Sequence, residues 1–101
     1  MNQKATTKDE LFLLKLYHLA SRSGDVHLEI DRLVIGRAIG QNDRGTHVIA
    51  RDLAQANFIQ KGEGDSVRLT QHGLRLIQRL LEEHSGSILQ DASEGRKEYR
   101  E

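Results

Sequence analysis

Residues 58–73, FIQKGEGDSVRLTQHG, hold two short alternating runs around the break GEGD, and the second run ends in Leu69-Thr70 just ahead of a helical periodicity. Alternation with period two marks a half-buried strand, and a break made of two glycines and two acids marks a turn. A hairpin is therefore expected between helical segments. A lone hairpin is barely stable in water, so the helices beside it must cover its apolar face. The fold class that follows is α+β, mainly α.

TTKDELFLLKLYHLASRSG predicts the first of those helices. Thr7 and Glu10 form a capping box, Asp9 and Glu10 suit the positive end of the helix dipole, and Gly24 is a natural stop. Leu13, Leu16, Tyr17 and Ala20 share one face; Leu11, Phe12, Leu14 and Leu19 widen the apolar stripe beyond it. VHLEI (26–30) alternates as a short strand with Val26, Leu28 and Ile30 on one side. DRLVIGRAIG reads as a second helix, capped by Asp31, ending before Gly40 and burying Leu33, Val34, Ala38 and Ile39.

After the turn QND, residues 44–57 form a third helix. Thr46, Ile49, Ala50 and Leu53 fall on its core side, so Arg44, His47, Arg51 and Gln55 fall opposite, with Val48 near that outer side. The other phase would bring Asp52 inward, which is costly. Asn57 tolerates a left-handed terminus. Thr70 caps a fourth helix, QHGLRLIQRLLEEH, with Leu74, Ile77, Leu80 and Leu81 inward. Residues 1–7 are expected to be a flexible N-terminus, 8–84 the domain, and 85–101 a polar tail unless Ile88 and Leu89 dock.

The order helix, strand, helix, helix, hairpin, helix resembles a winged helix-turn-helix, especially the small transcription regulators of the MarR and PadR kind. Leu53-Ala-Gln-Ala-Asn57-Phe-Ile59 is similar to the family's exit from the recognition helix, with Asn57 in place of a glycine. Val67-Arg-Leu69-Thr70-Gln-His-Gly73 is similar to its passage from wing to last helix. The resemblance spans residues 8 to 83 and implies sequence-specific binding of double-stranded DNA in transcription control. It places the third helix in the major groove, with Arg44, His47 and Arg51 toward base edges. Asn42 becomes a phosphate contact as well as a helix cap, and Lys61, Arg68 and Arg37 become further phosphate contacts. The acidic wing tip, Glu63 and Asp65, departs from the basic tips of strong DNA binders.

With 101 residues, 37% of them hydrophobic, the chain fits one domain. Its 15 basic and 15 acidic residues cancel, yet from Arg44 to Lys61 three cations face one acid, and binding follows the local field. Cysteine is absent, which excludes disulfides and thiolate metal sites. The histidines, His18, His27, His47, His72 and His84, lack ligand spacing, and neither a nucleophile elbow nor a phosphate-binding loop is present. No catalytic residue, metal or cofactor is assigned, and the chain is read as a non-enzyme. No apolar run approaches the ~18 residues of a membrane span, and the N-terminus lacks a signal-peptide core, so the expected location is the cytoplasm.

Four aromatic residues offer little for a planar ligand, which leaves any small-molecule effector unassigned. The wide first helix and Leu76 on the fourth point to a homodimer through Leu11, Leu14 and Leu76, which would double the base contacts of a single module. The alternative is a winged helix that binds protein rather than DNA, for which the neutral charge, acidic tip and surplus leucines speak.

Overall fold

The computed structural model describes residues 7–93, with side chains described as far as residue 83. Four helices and a small antiparallel sheet follow in the order α1 (Lys8–Arg22), β1 (Ile30–Asp31), α2 (Arg32–Ala38), α3 (Asp43–Gln55), β2 (Ile59–Lys61), β3 (Ser66–Leu69) and α4 (Gln71–Ser93). The fold is α+β and mainly helical. No described helix is long and apolar enough to cross a membrane.

Local chemistry sets the helix ends. Thr7 accepts from the Glu10 amide at 3.1 Å while the Glu10 carboxylate accepts from the Thr7 amide at 3.2 Å, the reciprocal cap read from the sequence. The α2–α3 corner turns on Gly40 at φ +82°. Its amide donates to the Arg37 carbonyl at 3.1 Å, and the Gln41 amide donates to Gly36 at 2.9 Å, closing a Schellman motif. Helix α3 ends the same way on Asn57 at φ +68°. There the Phe58 amide reaches back to Leu53 at 2.9 Å.

The sheet has the strand order β1-β3-β2, with β2 and β3 joined as the expected hairpin. Ile59 pairs with Leu69, Gln60 with Arg68 and Lys61 with Val67. Ile59, Val67 and Leu69 thus turn one face of the hairpin into the core, beside Phe12, Leu13, Leu16, Ile35, Ile49, Leu53 and Ile77. The Thr70 hydroxyl donates to the Asn57 carbonyl at 2.6 Å and accepts the Gly73 amide at 2.9 Å. One side chain thereby caps α4 and fastens its start to the exit of α3.

Several expectations are corrected. The strand foreseen over 26–30 shrinks to Ile30–Asp31, because Asp25 captures the residues that follow it in a turn. Its carboxylate accepts the His27 amide at 2.9 Å and its carbonyl accepts Leu28 at 3.0 Å. In α2, Ile35 and Gly36 are buried while Val34 and Ala38 are exposed, and Leu33 and Ile39 are half-buried. The rotation follows from α3, whose Thr46 side chain occupies the space a Cβ on Gly36 would fill. Phe12, expected beyond the main face of α1, is fully buried and Tyr17 only half-buried, because α1 packs against every other helix as well as the sheet. In α4, Ile77 and Leu80 are buried, Leu74 is half-buried and Leu81 is exposed. The same helix was expected to end at His84, yet its backbone continues to Ser93. Ser85-Gly86-Ser87 form helix poorly but carry no proline, and extending a helix already nucleated is far easier than starting one. The side chains of Ile88 and Leu89, residues 1–6 and residues 94–101 lie outside the described residues.

Candidate nucleic-acid interface

Helix α3 buries Thr46, Ile49, Ala50 and Leu53. Three- and four-residue spacing then places Arg44, His47, Val48, Arg51 and Gln55 outward, and all five are exposed. Thr46 keeps this rotation without a penalty, since its buried hydroxyl donates to the Asn42 carbonyl at 2.8 Å. The Asn42 carboxamide is occupied at the helix start, accepting the Gly45 amide at 2.8 Å, so its role in the free protein is that of a cap.

The cations differ in how far neighbours hold them. Among the described residues no ion pair engages Arg44, His47 or Lys61. Arg51 lies 3.4 Å from Asp52, and Arg37 lies 4.0 Å from Asp43, in exposed pairs that solvent screens to little net energy. Arg68 donates from Nε at 3.1 Å and Nη2 at 2.8 Å to the Gln60 amide oxygen, a neutral partner that fixes the guanidinium and leaves its charge.

The hairpin separates its two cations. Alternation puts Lys61 on the side of Ile59, toward α3, and Arg68 on the other face with Gln60. Lys61 therefore joins His47 and Arg51 around a cleft of about 310 Å³ floored by Ala50 and Ala54. Arg68 borders a different hollow with His27 and Gln71. A residue passed over in the sequence completes the cleft: Arg32, the first residue of α2. It was not legible locally, because the β1–β3 pairing brings it to the hairpin, where its amide donates to the Asp65 carbonyl at 2.9 Å. Its Nη2 donates to the Asp65 carboxylate at 3.0 Å, while Nε is buried without a partner. Half of the acidic tip is thus compensated. Glu63 remains exposed, and the Glu29 carboxylate lies over Gly62.

Behind α3, Asp9 of α1 titrates above the ordinary aspartate value. Burial disfavours its charged form, and Asp52 and Glu10 add like charge. Among the described residues no three histidine, aspartate or glutamate side chains gather as metal ligands. His27 instead donates from Nδ1 to the Leu69 carbonyl at 2.7 Å, and His72 stacks on Phe58 with ring centroids 4.7 Å apart.

The three leucines expected at a dimer interface line two different hollows. Leu11 and Leu14 border an apolar groove of about 380 Å³ with Tyr17, Ile39 and Leu81. Leu76 lies in a separate hollow beside Phe58, His72, Arg75 and Arg79. Comparison of the chain with protein-family models, curated proteins and solved structures finds no match.

Proposed function

We propose that this chain is a winged helix-turn-helix reader of double-stranded DNA, acting in transcription control in the cytoplasm as a homodimer. The observation that carries this reading is α3: one face is sealed into the core, and the opposite face offers Arg44, His47, Val48 and Arg51 to solvent beside a hairpin. A helix held from behind by a preceding helix and a tight corner is free to enter a major groove. Its arginines can serve the paired acceptors of guanine, and Val48 a thymine methyl. The element order and the α2–α3 corner support the same reading.

Selection of bound sequences from a random duplex pool tests it. A preferred site is expected, with affinity falling steeply as salt rises. Arg44→Ala/Arg51→Ala should abolish binding with the melting temperature nearly unchanged, since both side chains are exposed. Failure to enrich any sequence, with no duplex affinity at low salt, refutes the reading.

A second reading has its own support. The apolar groove of Leu11, Leu14 and Leu81, together with the exposed Glu63, suits a module that binds protein. That reading expects no duplex binding, and a captured protein partner that is lost when Leu11 or Leu14 is made charged.

A further inference from the structure

We infer that the cleft between α3 and the hairpin seats a single phosphate group of the DNA backbone. The inference rests on the reading of the chain as a DNA binder, and it revises one assignment within it. His47 and Arg51 serve the phosphate, while base recognition falls to Arg44.

Four basic side chains from three elements line this cleft, namely Arg32 of α2, His47 and Arg51 of α3, and Lys61 of β2, and among the described residues no carboxylate lines it. Its floor is Ala50 and Ala54, whose small side chains leave space and supply a wall of low polarizability, which focuses the field of the surrounding charges. Arg32 is the least solvated of the four, with a side chain only 15% exposed. Asp65 engages one of its terminal nitrogens, which leaves the guanidinium further N–H donors, while Nε is buried without a partner. Two of the cleft's cations have acidic neighbours, Arg32 bound to Asp65 and Arg51 in an exposed contact with Asp52 at 3.4 Å, and the Glu29 carboxylate lies over Gly62, next to Lys61.

Placement decides between base and backbone. A helix lying in a major groove has a phosphodiester strand along each margin, and the element beside the helix meets that strand rather than base edges. Lys61 belongs to that neighbouring element, and His47 and Arg51 share its cleft. Arg44 stands near the start of α3, outside the cleft, where recognition helices contact bases.

Two titrations test the seat separately from the DNA reading. Isotope-labelled protein is titrated with inorganic phosphate at constant ionic strength held with chloride. The amides of Ala50, Arg51, Ala54 and Lys61 should shift saturably, and the shifts should be lost in the exposed-site variant Lys61→Gln. The selected duplex is then titrated across a salt series. Lys61→Gln and Arg51→Gln should weaken every duplex by the same factor and each lower the salt slope by about one. Arg44→Ala should erase sequence preference. Duplex binding without phosphate-specific shifts overturns the seat alone, as does an Arg51→Gln variant with altered preference and unchanged salt slope. Phosphate binding without binding of any duplex overturns the DNA source and the proposed function together.

Discussion

Gly36 shows how much a single residue decides. The α2–α3 corner closes only because Gly36 has no side chain where Thr46 sits, with Thr46 held in place by its bond to Asn42. Alanine usually gains about 1 kcal/mol over glycine within a helix, so the sign of Gly36→Ala reports on that contact. A net loss of about 1–3 kcal/mol, as for an overpacked core, is expected in chemical denaturation; a gain would show that the helices part easily. Asp9 carries the other prediction at this scale. Its folded pKa is raised, so the fold holds the proton more tightly than the unfolded chain does. Its favourable contribution is present below 3.8, the ordinary value, and is lost as pH rises through the raised folded value. The melting temperature of Asp9→Asn relative to the wild type should therefore climb with pH across that window and then level off. A difference constant with pH would exclude ionisation as the cause. Caps and turn residues such as Thr7, Asn42, Asn57 and Thr70 were readable because their partners lie a few residues away or their backbone preference is intrinsic. Arg32 was not, since its partner Asp65 is 33 positions distant.

The elements divide along the same line. Helix α3 was legible in phase because only one rotation keeps Asp52 out of the core. In α2, seven residues complete barely two turns, and the helix took its rotation from Gly36 against Thr46. The strand foreseen at 26–30 lost most of its length to the Asp25 turn, a side-chain bond that alternation does not report. What remains of β1 still anchors the hairpin: Ile30 pairs with Val67, Asp31 with Ser66, and Arg32 holds Asp65 through its amide and its guanidinium. Asp65→Ala removes the side-chain half of that anchor. Global stability should fall by about 1 kcal/mol, since the Asp65 side chain is half exposed but its loss leaves the largely buried Arg32 without that partner. The amides of Gly62 and Ser66 should nevertheless exchange faster, because the hairpin end opens locally. Unchanged exchange would show that strand pairing alone holds the tip.

For the whole molecule, the question is which apolar surface the fold leaves uncovered. Much of the wide stripe on α1 is consumed internally, since Phe12, Leu13, Leu16 and Ala20 have no exposure at all. Of the rest, Leu19 is half-buried, and Leu11 at 41% exposed borders one groove with half-buried Leu14 and Tyr17 and with Leu81 of α4 at 38%. Leu76 lies elsewhere. A dimer contact through this groove would use Leu11, Leu14 and Leu81, a grouping that depends on how α4 crosses α1 and so was not legible in the sequence. A domain near a hundred residues buries a smaller share of its unfolded surface than a larger one, so a dimer should add stability by mass action, and its melting temperature should rise with protein concentration. Sedimentation should give a dimer for the wild type and for Leu76→Glu, and a monomer for Leu11→Glu/Leu81→Glu. Both changes in that pair are at exposed positions, so the monomer should keep its helical content and lose the concentration dependence of melting. Duplex affinity should fall with it, because two half-sites are then no longer engaged together. A monomeric wild type would refute the dimer, and a dimer broken only by Leu76→Glu would move the interface to the hollow beside Phe58 and His72.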